Sequence, residues 1–153
     1  MVAKKTSLKK NNLVLDIGVS DDTLLKKSKK NIDIQKKKLQ TYFNEIKLNS
    51  IAGYGASATS NTLISYFKIS KFFKYLINDN PAKIGLHSPG YHLPVFEEKI
   101  FKSNPPEVVT ILALRYKDNI LKKLKLLKEK YKLKKLLVIV PLPDIKFSIY
   151  NYC

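Results

Sequence analysis

Residues 50–67 read SIAGYGASATSNTLISYF, and this stretch decides the fold. Ser50 to Ala52 reads as a short buried strand, Gly53 to Ser57 as a glycine turn, and Ala58 to Phe67 as a helix. Together they make a βα unit. Within it, Gly53-Tyr54-Gly55-Ala56-Ser57-Ala58 fits the G-x-G-x-x-G/A pattern of turns that hold phosphate. The pattern has a physical basis. The first glycine permits the tight turn, the second lets backbone approach a phosphate, and the small third residue packs helix on strand. Backbone amides and the positive end of the helix then face the anion. Ser57, Thr59, Ser60 and Asn61 add side-chain donors around the same mouth. Gly55→Ala is therefore expected to weaken ligand binding while the fold survives.

Working outward, Leu13 to Ile17 reads as a strand that passes through Gly18, Ser20, Asp21 and Asp22 into a helix start at Leu24 and Leu25. Leu39, Tyr42, Phe43 and Ile46 recur at helical spacing and predict an amphipathic helix from about Asp33 to Lys47. Beyond the glycine turn, a second strand is expected over Phe72 to Ile77, a long loop over Asn78 to Pro94, and at most a short helix over Glu97 to Phe101. Val108 to Leu114 is a continuous apolar run, followed by a helical period over Asn119 to Lys130 and a further strand over Leu136 to Val140. Fully apolar strands alternating with helices imply an α/β fold, a parallel sheet covered on both faces. Right-handed crossovers make that sheet Rossmann-like, in a single domain. The organisation expected is a basic flexible arm over residues 1–12, a distinct segment over 13–32, and the Rossmann-like domain over 33–153.

The chain has 153 residues, the size of one domain, so a large multidomain enzyme is excluded for this sequence. Twenty-nine Lys plus Arg against 12 Asp plus Glu give a net charge of +17, and such a field attracts anions. Arg115 is the sole arginine, which argues against specific nucleic-acid recognition, because base readout and phosphate clamping favour the guanidinium fork. Any DNA binding is expected to be independent of sequence and steeply dependent on salt. The one cysteine, Cys153, allows no intrachain disulfide and no CxxC metal site, so no metal is expected and the chain reads as cytoplasmic. No apolar stretch approaches the ~20 residues that cross a bilayer, so no membrane partner is expected.

Asp79 stands at the end of the second expected strand, where a dinucleotide fold keeps its ribose-binding acid. On the residues alone this is a nucleotide site. The alternative is that the small residues only allow close packing, and Asp79 caps a turn before Pro81. From there Asp79-Asn80-Pro81-Ala82-Lys83-Ile84-Gly85 runs on to Pro89-Gly90-Tyr91-His92-Leu93-Pro94.

Taken in order, the GYGASA turn, the DNPxKxG loop and the PGxHxP loop resemble the C-terminal domain of sugar C-methyltransferases. These enzymes methylate a carbon of nucleotide-linked deoxysugars with S-adenosylmethionine. The likeness continues through Ile111 to Tyr116, where Leu114 holds a position usually taken by tryptophan, and ends at Val140-Pro141-Leu142-Pro143. It covers about Asp33 to Ile149. Two further departures are Tyr91, where threonine is common, and Thr59, where lysine is common.

The resemblance implies a nucleotide-linked sugar as ligand, contacted by Gly53, Tyr54, Gly55, Ala56, Ser57, Asn61, Asp79, Asn80, Lys83, Gly85, Pro89, Gly90 and His92. Residues 14–25 resemble the first motif of the family's central methyltransferase domain. Asp16 and Gly18 are the weak cofactor contacts this implies, and Asp22 replaces a second glycine. The rest of the methyltransferase sheet is missing, so the expectation is a truncated or separately encoded part. S-adenosylmethionine would then be the family's cofactor without being bound by this chain alone, and a methyltransferase domain on another chain becomes a candidate partner. Two alternatives stay open: a reduced but active methyltransferase, and a non-specific basic nucleic-acid-binding protein.

Other residues carry weaker signals. His87 and His92 flank Pro89-Gly90 without a carboxylate or nucleophile nearby in sequence, so the catalytic residue is left unassigned. Lys83 suits a phosphate as a point charge. Tyr54 either stacks on a base or fills core space. Leu121, Leu124, Leu127 and Tyr131 form a core stripe whose interleaved lysines read as a solvated face, and Glu97-Glu98 reads as a first-turn helix charge.

Overall fold

The computed structural model of the chain describes residues 20–46 and 50–151. Leu13 to Ile17, Asp16 and Gly18 lie outside the described residues. Four helices, α1 (Ser20–Glu45), α2 (Ala58–Phe67), α3 (Ile100–Ser103) and α4 (Lys117–Lys130), surround a six-stranded sheet. Its strands are β1 (Ile51–Tyr54), β2 (Tyr75–Ile77), β3 (Val95–Phe96), β4 (Val108–Ile111), β5 (Lys135–Val140) and β6 (Lys146–Asn151), in the order β3-β2-β1-β4-β5-β6. The pairs β1·β2, β1·β4, β2·β3 and β4·β5 are parallel, with Tyr54 beside both Ile77 and Ile111. The α/β class and the mainly parallel sheet are as expected. One strand corrects the all-parallel reading: β6 runs antiparallel to β5, with Leu137 opposite Ile149 and Ile139 opposite Phe147.

Strand alternation divides the interior into two cores. Ile51, Leu76, Val108, Leu137 and Ile139 face α1 and α2, meeting Leu39, Phe43, Leu63, Ile64 and Phe67. Ala52, Tyr75, Ile77, Val109, Ile111, Leu136 and Val138 face the other way, against Phe101 of α3 and Ile120, Leu124 and Leu127 of α4. Both faces of the parallel strands are thus covered, which is why they read as continuous apolar runs.

The helix expected over Asp33–Lys47 begins instead at Ser20, and the boundary drawn at residue 32 falls inside it. Lysine has good helix propensity, so the basic stretch continues the helix instead of interrupting it. The two halves of α1 differ in surroundings. Residues 22–30 are exposed, whereas Leu39 and Phe43 are buried. Polar bonds join the middle of α1 to the loop after β5: Asn31 donates to the Pro143 carbonyl at 3.0 Å, and Gln35 Oε1 accepts from the Ile145 amide at 3.2 Å.

Shorter differences have local causes. The strand expected over Phe72–Ile77 is limited to β2, because Ser70–Phe72 form a 3-10 turn. Directly after the long loop, β3 forms with only two residues, too few for a periodic signal. Glycine Gly53 and Tyr54 belong to β1 and not to the turn.

Candidate functional site

In open α/β sheets ligands bind outside the carboxyl ends of the strands, where the strand order reverses. Here that point lies between β1 and β4. A cleft of about 740 Å³ opens there, and its walls come from three strand ends. Tyr54 ends β1, and Gly55, Ala56, Ser57 and Thr59 follow it; Asn78, Asp79, Asn80 and Lys83 follow β2; Ala113 to Tyr116 follow β4. Ile120 of α4 closes the back.

Ser57 caps α2, its Oγ accepting from the Ser60 amide at 3.2 Å. The amides of Ala58 and Thr59, first in the helix, have no carbonyl within the helix to meet and add positive potential at the mouth. Ser57→Ala is expected to cost about 1 kcal/mol of folding stability, read by urea denaturation. Lys83 reaches back over this turn, donating from Nζ to the Ala56 carbonyl at 2.6 Å. Its charge is therefore fixed at the mouth by a protein bond, and the side chain is half-buried instead of being one more solvated lysine.

The glycines do different work from that expected of the pattern. Gly53 lies in β1, away from the cleft lining, and a Cβ there would meet Leu112 Cδ1 at 2.5 Å and Leu76 Cδ2 at 2.7 Å. It is a packing glycine. Gly55 has φ +119° and is buried; its added Cβ would meet the Ala113 amide nitrogen, Ala113 Cβ and Ser60 Oγ, each at 2.9 Å. The constraint is on the fold, from β4's end, so Gly55→Ala is expected to strain the fold and not only the ligand site. The small residue held inside is Ser60, with no exposed surface, while Ala58 is exposed.

Asp79 does not cap the turn before Pro81. The flanking asparagines do, Asn78 Oδ1 accepting from the Asn80 amide and Asn80 Oδ1 from the Ala82 amide, both at 3.0 Å. Asp79 instead accepts at Oδ1 from the Tyr54 hydroxyl at 2.8 Å and from Lys123 Nζ at 2.6 Å. Lys123 also meets Glu98 Oε2 at 2.9 Å, and Lys130 stands 3.7 Å from Glu98 Oε1. Tyr54 is a core residue whose hydroxyl alone reaches this network. Burial first, then the bond to Asp79, raises its phenol, which stays a donor. Burial pulls the Lys123 ammonium down, but the bonds to Asp79 and Glu98 outweigh it and the net shift is upward.

Glu98 is correspondingly held below the usual carboxylate range, chiefly by the Lys123 hydrogen bond. A lowered carboxyl contributes stability that is present above its unfolded value and lost as pH falls through the folded one. Acid titration followed by circular dichroism is expected to show less destabilisation on acidification in Glu98→Gln than in wild type.

Lys123 and Glu98 correct two sequence readings. The lysine bridges Asp79 and Glu98, clamping the Asp79 carboxylate, and does not belong to a solvated face, and Glu98 precedes α3 instead of opening it. A signal for Lys123 was present: it sits in the run Ile120, Lys123, Leu124, Leu127, on the helix face that is otherwise apolar.

The remaining named residues lie apart. Asn61, Pro89 and Gly90 line a separate, shallow depression with Thr62, Ser65, Tyr66 and Tyr91, and the buried Asn61 Oδ1 has no hydrogen-bond partner among the described residues. Gly85 and His92 line neither concavity; His92 is exposed with φ 53°, its amide donating to the Ser88 carbonyl at 3.1 Å. Among the described residues no group of three His, Cys, Asp or Glu is placed to hold a metal ion, and no helix is long and apolar enough to cross a membrane.

A family model for the C-methyltransferase C-terminal domain matches residues 12–143, most of the chain. The chain belongs to that family. The match takes in the whole of α1 and the cleft, and it begins well before the Asp33 at which the sequence likeness was drawn. No curated protein matches the chain. Membership of a C-methyltransferase C-terminal domain family points to S-adenosylmethionine as the family's methyl donor. The cleft itself sets a helix mouth and a fixed lysine, which attract an anion, beside the carboxylate of Asp79.

Proposed function

We propose that this C-methyltransferase C-terminal domain binds a nucleotide-linked sugar, with its diphosphate at the mouth of α2 beside Lys83. The observation that carries the reading is the convergence of Gly55, Ser57, Asp79 and Lys83, on two separate strand ends, in one cleft at the switch point of the sheet. Residues that the sequence scatters over nearly thirty positions thereby face one ligand-sized space. Methyl transfer belongs to a methyltransferase domain acting with this one, on the same or another chain, and the reading that the domain is a truncated or separately encoded part accords with that.

Isothermal titration with UDP-glucose tests the reading. One site per chain is expected, competed by inorganic pyrophosphate and weakened by Lys83→Ala about tenfold, as for loss of a charged hydrogen bond. Absence of binding, or binding indifferent to pyrophosphate, would refute it. The same chain is expected to transfer no label from tritiated S-adenosylmethionine to a nucleotide-linked deoxysugar.

The exposed lysines of α1, Lys26, Lys27, Lys29, Lys30, Lys37 and Lys38, favour one further reading, sequence-independent attraction to polyanions. Filter binding to two unrelated duplexes should give equal affinities that fall together as salt rises. A strong preference for one duplex would contradict it.

A further inference from the structure

This inference rests on the cleft being a nucleotide site and concerns what Asp79 selects there. Both bonds to its carboxylate fall on Oδ1, from Tyr54 and Lys123, and among the described residues Oδ2 has no hydrogen-bond partner. The Asp79 side chain is 53% exposed and lines the cleft, so its second oxygen is available to what the cleft holds. The clamp reaches it from two directions. Tyr54 comes from β1, and Lys123 comes from α4 across the sheet end, itself held by Glu98. A carboxylate accepts hydrogen bonds and repels phosphate, so it selects a donor, and the donors next to a nucleotide's diphosphate are the hydroxyls of its pentose.

We propose that Lys123 and Tyr54 are positioning residues that make Asp79 a single-acceptor selector for a free pentose hydroxyl. The ligand class is then a nucleoside diphosphate with an unsubstituted sugar. The register supports the arrangement. Tyr54 lies beside Ile77, and the Gly55 amide donates to the Ile77 carbonyl at 2.8 Å. The phosphate mouth after β1 and Asp79 after β2 are therefore neighbours, and a diphosphate at the first sets its pentose against the second. Lys123 has a further role: by taking one oxygen it fixes the rotation of the carboxylate, so that the other keeps a constant direction.

The test is calorimetric titration of UDP, 2′,3′-dideoxy-UDP and inorganic pyrophosphate into wild type, Asp79→Ala, Lys123→Met and Tyr54→Phe, each checked for folding by circular dichroism. Wild type is expected to prefer UDP over the dideoxy compound by about tenfold or more, the size of a hydrogen bond to a charged group. Asp79→Ala should bring that ratio to near one, and Lys123→Met should reduce it. Because the readout is a ratio, a general change in anion affinity cancels from it. Should Lys123→Met fail to fold, Tyr54→Phe, which loses only a hydroxyl, still has to lower the ratio. Equal binding of UDP and the dideoxy compound by wild type, or a ratio undiminished in Asp79→Ala, overturns the proposal and leaves the nucleotide site standing. Failure of wild type to bind UDP or pyrophosphate overturns both.

Discussion

Gly55→Ala is expected to destabilise the domain by about 3 kcal/mol, a combination of backbone strain and overpacking. The backbone there has φ +119°, a region that side chains with a Cβ rarely adopt. The added carbon also meets Ala113 backbone and Ser60 Oγ at 2.9 Å, and neither can swing aside as the end of a long side chain would. Relief would require β1 and the end of β4 to part, although Leu112 and Ala113 both donate to the Tyr54 carbonyl, at 2.9 and 3.1 Å. Urea unfolding measures the loss. A variant as stable as wild type would mean that the turn has slack which the geometry denies.

Phe43→Ala is expected to cost about 4 kcal/mol, in the range for emptying a large aromatic site in a core. Phe43 is 3% exposed and its ring lies 5.1 Å from that of Phe72 and 6.2 Å from that of Phe73. The second half of α1 is thus part of the core. Its first half is not: Leu24 is 59% exposed, and Leu24→Ala should change stability by less than about 0.5 kcal/mol. Thermal or urea unfolding of the pair separates the two halves. Similar small losses from both would show that α1 is not integral to the domain.

The sequence was most informative where one period persisted. Helix α2 occupies the span expected of it, Ala58 to Phe67, and the apolar runs behind β4 and β5 read as buried strands because both their faces are covered. It was least informative where structure depends on distant partners. Two-residue β3 and antiparallel β6 exist through pairing with β2 and β5 and carry little local signal. The glycine pattern pointed to the cleft for partly wrong reasons: Gly53 makes room for leucines, and Gly55 makes room for the end of β4. Asp79 and Lys83 were legible as charged residues after a strand, but their partners were not. Tyr54, Ala56 and Lys123 reach them only once three strand ends are folded together.

The central claim is the location of the ligand, and a titration of UDP into the 15N-labelled chain followed by amide chemical shifts tests it most directly. The account predicts the largest shifts at Gly55 to Thr59 and at Asp79 to Lys83, with smaller ones at Ala113 to Tyr116, all saturating together. Shifts confined to the exposed lysine-rich turns of α1, growing without saturation, would contradict it.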